Sequence, residues 1–563
     1  MNIALVCFVL MTAGQHLQME KEAGDATATN HDASRILRAL PADTLLAVTV
    51  RDLAALDGKL TKLTERLGFP FSPYTLMKGS LEIVTGWDDA GSAAVAVMAP
   101  EQGAAASKRI VLLLPTQDRS ALLTFLNPQP LEDEYLKVTL RGRETYVGTR
   151  GPFTVFGPNL ETVQHVVRAD ASLHDRFTIR EIKRFVAGDV SLWLNPSALP
   201  SGSLTEVNAS PLRRAAGVIF ESLKQYGSLQ LSLQIEVDGL AVEVGVEQAA
   251  QPVGRHTLPP RETTDSLLRG LPAEPFVLAM GLTDDHAGTR FESIVNLVFS
   301  ASAASGIIEP EKSAELRRAY EAVLPKIAGA SSGVSVLPEG PDGRIGTTKV
   351  LDARGDAQAL LRDMETIWNL FKAGPFVDPR INQVMTGIEY RRAAETSHGV
   401  TIDHVFLDVS GFEAVDEEML KKVIGREGLL IRIGAIDGKT VVIAMGGGLS
   451  RFEKIVATVR AGRAPLAADV GIARSAKKVA TRRSLEAYFS LDRCAELIEL
   501  LLGAMKQTVA LPDMPELNAP LAVTVHAVGP RATQVDVFIP IELVVAVKDA
   551  MMARLAGQTG AEH

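Results

Sequence analysis

The chain is poor in cysteine, poor in aromatic residues and without any clustered positive charge, and each shortage removes a class of function. Among 563 residues there are two cysteines, Cys7 and Cys494. Cys7 falls in an N-terminal apolar run, and once that run is removed a lone Cys494 cannot form an internal disulfide, so stability must come from packing. Cys494 sits in SLDRCAELIELLL beside apolar neighbours and reads as a small core hydrophobe; a nucleophilic role would need a nearby histidine that sequence does not place. Aromatic residues make up 5% of the chain, which argues against a sugar-stacking cleft. Lys and Arg number 58 against 67 Asp and Glu, a net charge of −9, and the basic residues are scattered. Nucleic-acid binding needs a concentrated positive face that releases counterions, and docking on an anionic membrane needs the same, so neither is expected. Long apolar runs are also missing. Ile3–Ala13 (IALVCFVLMTA) is too short to span a bilayer, and Ser293–Ile308 is broken by Asn, Ser and Gly, so no transmembrane helix is expected in the mature chain.

Ile3–Ala13 fits a signal-peptide h-region with a cleavage site after Gly14, although no Lys or Arg precedes it. Ala4-Leu5-Val6 before Cys7 is a poor lipobox and lies too close to Met1 for a lipid anchor. Residues 1–14 are therefore read as a signal peptide, residues 15–35 as a flexible lead-in, and the mature protein as exported, periplasmic or extracellular; if the apolar run is not a signal peptide, the expectation is a cytoplasmic protein.

The remaining chain is long enough for two domains, and it contains two similar halves. LPADTLLAVTVRDL (Leu40–Leu53) resembles LPAEPFVLAMGLTD (Leu271–Asp284), and FTVFGPNLETVQHVVRA from Phe153 resembles TVVIAMGGGLSRFEKIVATVRA from Thr440. The proline-rich stretch 251–264 (QPVGRHTLPPRETT) falls where a duplication requires a linker. This predicts α+β domains at 36–250 and 265–556, the second with a helical insertion, followed by a tail at 557–563. Leu229, Leu231, Leu233, Ile235 and Val237 alternate with polar residues before Asp238-Gly239, and Leu240, Val242, Val244 and Val246 resume the period, predicting a hairpin with a type I′ turn. Leu521, Val523 and Val525, Gly529-Pro530, then Val535, Val537 and Ile539 predict a second. SLWLNPSAL from Ser191 parallels SLEAYFSLDRCAEL from Ser484. Helical spacing predicts helices over Pro310–Leu324, Ala357–Phe371 and Ile541–Leu555. Hairpins without a βαβ rhythm favour α+β: two tandem related domains, each an antiparallel sheet packed with helices.

Candidate chemistry is sparse. Gly329-Ala330-Ser331-Ser332-Gly333 matches G-x-S-x-G, but a nucleophile elbow needs a strand before the serine and a helix after it, and the order here is inverted; the segment reads as a helix C-cap and loop. Gly446-Gly447-Gly448 could present N–H groups to an anion, but it lacks phosphate-loop spacing and reads as a tight strand-to-helix turn, with Asn159 the N-cap of the matching turn at Gly157-Pro158-Asn159. Asp284-Asp285-His286 is the only compact run with metal-ligand chemistry, and Asp284 reads better as a helix cap. His404 and His526 fall in strand-like runs, His526 on a solvated face. Trp87-Asp88-Asp89 reads as an acidic turn beside a packed indole. No catalytic, cofactor-binding or metal residue is assigned, and no cofactor is expected.

The LPADT start followed by an alternating strand, the strand-turn-helix units and the export signal together resemble a class of exported bacterial proteins known only as a domain of unknown function. The resemblance would span residues 36–548, departs at Glu274-Pro275 where Asp43-Thr44 stand in the first copy, and implies fold and location but no active site. The resulting expectation is a non-catalytic exported or envelope-associated binding or scaffolding protein. The competing expectations are a hydrolase with dispersed residues in an interdomain cleft, or a carrier of apolar small ligands held between sheet and helices by residues such as Leu229 and Val242.

Overall fold

The computed structural model describes residues 34–559 except 67, 69–71, 84, 100–108, 199–225, 249–261, 284–298, 300–301, 303–305, 408–416, 427, 505–515, 518 and 530–531. The run Ile3–Ala13, most of the 251–264 stretch and Asp284-Asp285-His286 lie outside the described residues. Residues 34–39 are helical, so the lead-in ends sooner than residue 35, and the last helix continues past 556 to Thr559.

The protein is a mixture of helix and strand with a large antiparallel sheet. Its chain divides into two compact units: Met1–Ser201 with Lys224–Pro252 and Gln534–Lys548, and Gly202–Leu223 with Val253–Thr533 and Asp549–His563. Where apolar residues alternate with period two a strand turns them all to one sheet face, and a strand such as Phe153–Gly157 is buried on both. The first unit carries β1 (Thr44–Val50), β2 (Ala93–Met98), β3 (Ile110–Pro115), β4 (Gln129–Pro130), β5 (Leu136–Leu140), β6 (Arg143–Arg150), β7 (Phe153–Gly157), β8 (Val190–Leu194), β9 (Tyr226–Ile235) and β10 (Gly239–Gln248). They pair antiparallel in the order β4-β5-β6-β7-β3-β2-β1-β8-β9-β10. The second unit carries β11 (Phe276–Thr283), β12 (Ile327–Val336), β13 (Ile345–Ala353), β14 (Ile388–Ser397), β15 (Val400–Leu407), β16 (Leu429–Ala435), β17 (Thr440–Met445), β18 (Leu485–Phe489) and β19 (Leu521–Ala527). Their order is β14-β15-β16-β17-β13-β12-β11-β18-β19.

From β5 and from β15 onward the two orders correspond strand for strand. Backbone details repeat as well: the Leu173 amide donates to the Leu40 carbonyl at 2.7 Å and the Leu466 amide to the Leu271 carbonyl at 3.4 Å, while the Asp189 and Ser484 amides donate to the Leu233 and Val525 carbonyls at 2.8 Å each.

On one face of each sheet lie the helices that follow the strand-turn units. In the first unit α1 (Leu53–Arg66) and α2 (Pro73–Leu81) precede α3 (Leu160–Arg168) and α4 (Ile179–Ala187). Asn159 caps α3 by accepting from the Thr162 amide, so the chain leaves β7 already committed to a helix, and Thr178 and Glu181 form a capping box on α4. Val163, Val166 and Phe185 then pack on Ala47, Ala96, Val111 and Val155. The second unit has α5 (Pro310–Val323), α6 (Ala357–Lys372), α7 (Gly448–Arg460), α8 (Val470–Ala476) and α9 (Leu491–Ala504). Phe452, Ile455 and Val459 of α7 pack on Val350, Val442 and Ala444, the same face again. The opposite face receives α6, whose Leu360, Leu361 and Ile367 meet Leu351, Ile433 and Val441.

Several local expectations are corrected. Ser331 lies inside β12 rather than in a loop, because the small residues of GASSG allow close strand pairing on both sides. At Asp238-Gly239 the hairpin forms, but neither residue has the positive φ of a type I′ turn. Gly239 is needed there for space, since a Cβ would stand 2.4 Å from the Ile539 carbonyl oxygen. The sequence places β20 (Ala532–Pro540) and α10 (Ile541–Thr559) in the second domain, yet Gln534–Lys548 belong to the first unit. Ile541, with Ile539 and Val544, buries against Leu56, Leu60, Leu63, Leu233, Ile235 and Leu240, and the Ile541 amide donates to the Asp238 carbonyl at 3.1 Å. The predicted helices over 310–324 and 357–371 form, the first passing into a 3-10 turn at Leu324–Lys326.

Candidate functional site

Cross-strand partners in an antiparallel sheet point to the same face, so the registers define rows of side chains. One row of the second unit runs Val523–Ala487–Met280–Ser332–Lys349–Ile443–Ile433 across β19, β18, β11, β12, β13, β17 and β16. The corresponding row of the first unit runs Leu231–Leu192–Val48–Val95–Leu112–Phe156–Val147 and is wholly apolar. Ser332 and Lys349 thus occupy the places of Val95 and Leu112.

α6 closes the end of this face nearest Leu351, Val441 and Ile433. Beyond that, Met280, Ala487, Val523 and Ile443 are only half-buried, and Lys349 is exposed although its strand neighbours Thr348 and Val350 on the other face are buried. α9 packs on β11, with Ile498 and Leu501 each 40% exposed. Among the described residues Lys349 has no ion-pair partner, and neither its amine nor the Ser332 hydroxyl has a hydrogen bond. Burial among the surrounding side chains pulls the Lys349 pKa below its ordinary value. In chemical terms this is an apolar floor with one cation and one hydroxyl side by side.

Four other polar clusters are paired internally. Arg451 is buried and donates to Glu274 Oε1 at 2.9 Å and Oε2 at 2.8 Å, to the carbonyls of Thr347 and Met445, and to Thr348 Oγ1. Buried Glu486 accepts from the Ser266 hydroxyl at 2.7 Å and the Leu267 amide, and pairs with Arg483 at 2.9 Å. Asp189, also buried, holds Lys59 at 2.6 Å and the Ile235 amide at 2.8 Å. Asp43 of the LPADT motif pairs with His165 of α3 at 2.9 Å.

The residues singled out by sequence fall in similar roles. The buried Ser331 donates to the Arg269 carbonyl at 2.5 Å. Gly446, Gly447 and Gly448 all adopt left-handed φ between β17 and α7, and a Cβ on Gly446 would stand 1.9 Å from the Ile345 carbonyl oxygen. Trp87 is buried, donates Nε1–H to the Ile83 carbonyl at 3.0 Å, and meets Tyr74 edge-on with ring centroids 5.8 Å apart. Asp88 and Asp89 are exposed; Asp89 accepts from Lys78 and Tyr74, and the Lys78 contact holds its carboxyl below the usual range. His404 lies 3.2 Å from Glu395, which also accepts from Arg432. His526 is half-buried in β19 rather than solvated, because it shares the face of buried Ala522 and Thr524. Cys494 is half-buried and burial raises its thiol pKa, away from nucleophile chemistry. Leu229 and Val242 are half-buried on the first unit's sheet. Among the described residues no group of three or more His, Cys, Asp or Glu could hold a metal ion, and no helix is long and apolar enough to cross a membrane.

Sequence reasoning passed over Lys349 and Ser332. The available signal was Thr347-Thr348-Lys349-Val350-Leu351, where period two sets a lysine on the face of Leu351.

No protein-family model and no curated protein matches the chain. Among solved structures it is similar to TP0453 in crystal forms III and I, at 10% identity and TM-scores of 0.24 and 0.22, covering 39% of this chain and 81% and 80% of those chains.

Proposed function

We propose that the protein is a non-catalytic, exported or envelope-associated binding protein, built from two tandem duplicated α+β domains, that carries apolar small molecules against a helix-flanked sheet. The observation that carries this reading is the second unit's row of half-buried apolar side chains beside α6. An ordinary solvated face would alternate to polar residues, whereas Met280, Ala487, Val523 and Ile443 keep this one apolar. The internal pairing of Arg451, Glu486 and Asp189 supports binding over hydrolysis at those clusters, because a catalytic site keeps titratable groups free to meet substrate.

The test is saturable binding of a fluorescent apolar probe, 1-anilinonaphthalene-8-sulfonate, to the native protein, followed by its displacement with unlabelled long-chain alcohols. Stoichiometric binding that is lost on Met280→Glu supports the reading. Unsaturable binding, or saturable binding unaffected by Met280→Glu, overturns it.

A further inference from the structure

Resting on the apolar-carrier reading, we propose that Lys349 and Ser332 form the head-group site for the carboxylate of a long-chain acyl ligand, whose tail lies along the row toward Met280, Ala487 and Val523.

The two residues are direct cross-strand partners, which sets their Cβ atoms about 5 Å apart, close enough for one anionic group to take a hydrogen bond from each. The matching positions of the first unit hold Leu112 and Val95, so the cation and the hydroxyl distinguish the second unit's row from the first's. Lys349 has no partner among the described residues, and so the charge is available to a ligand.

The charge count selects the ligand. One cation and one hydroxyl match a monoanion, whereas a phosphate monoester would carry nearly two charges against a single lysine. The geometry selects the tail. α6 fills the face over Leu351, Val441 and Ile433, and in the other direction the row continues through the half-buried Met280, Ala487 and Val523. From β13 to β19 it crosses four strand intervals, about 19 Å, comparable with an extended long-chain acyl group.

The experiment is calorimetric titration of the full chain with oleate and with oleyl alcohol, which share a tail and differ in the head. Wild type should bind oleate about tenfold or more tightly than the alcohol, as a charge-assisted hydrogen bond provides. Lys349→Met should erase that preference while leaving the alcohol affinity within about twofold, and Lys349→Arg should restore it. Ser332→Ala should give a smaller loss for oleate alone. Circular dichroism of each variant separates loss of the site from loss of the fold, and because Leu112 fills the matching position, Lys349→Met should fold. Equal binding of both ligands by wild type, or unchanged oleate preference in Lys349→Met, overturns the head-group site and leaves the carrier reading standing. Binding of neither ligand overturns both.

Discussion

Arg451 on α7 clamps Glu274 of the second LPA motif across 177 residues of sequence, with Nε and Nη2 each within 3 Å of a carboxylate oxygen. The first copy makes the comparable link from Asp43 to His165, a single and more exposed pair on α3. In both copies the strand after the motif is therefore held to the helix after the strand-turn unit, but the second link is the stronger because the arginine also satisfies two carbonyls.

Arg451→Met should destabilise the second unit by about 3 kcal/mol, since it leaves Glu274 and the Thr347 and Met445 carbonyls without their donor. Urea unfolding measures this. The double variant with Glu274→Gln should lose less than the sum of the single losses, and strict additivity would disprove the clamp.

The pH dependence of Lys349 has a definite sign. Its pKa in the folded protein lies below the ordinary lysine value of 10.5, so between the two the unfolded chain holds more protons and stability rises with pH. Lys349→Met should be more stable than wild type at neutral pH, with the difference shrinking as pH approaches 10.5. A difference independent of pH would mean that the amine is as well solvated as in the unfolded chain.

Gly446→Ala should cost more than about 2 kcal/mol, because a left-handed φ of 75° and a Cβ 1.9 Å from a carbonyl oxygen act together. Gly142→Ala shares the left-handed φ but has open space, and should cost about 1 kcal/mol. Thermal melts of the two variants compare them directly.

Ile541→Ala should remove about 3 kcal/mol from the first unit through the cavity left beside Leu60 and Leu240. Amide exchange should quicken in β9 and β10 while β15–β17 keep their protection. Faster exchange confined to the second unit would contradict the assignment of this segment.

Much of the architecture was legible. The similar LPA and strand-turn-helix segments fall at matching places in the two strand orders, and the periodic stretches at 310–324 and 357–371 are helices because one face of each is apolar. What was not legible depends on pairing across long separations. Nothing in the period of Val535, Val537 and Ile539 says which sheet they join, and the apolar side of Ile541 found its neighbours near Leu56 and Leu233. The site was missed for a related reason: attention went to Ser331 in its G-x-S-x-G frame, while the alternation of β12 turns its neighbour Ser332 to the opposite face, beside a lysine that only strand register brings there.

The return of Gln534–Lys548 to the first unit has a consequence for biosynthesis. Residues 253–533 are made between the first unit's β10 and the segment that pairs with it, a delay of roughly 15 s to 1 min at ribosomal rates. Throughout that interval the nascent first unit presents β10 as an unpaired edge and Leu60, Leu233 and Leu240 without their covering isoleucine. A ribosome stalled within the second half would release a first unit that is folded in outline yet adhesive along one border. Its early synthesis does not make it the first part of the protein to be finished.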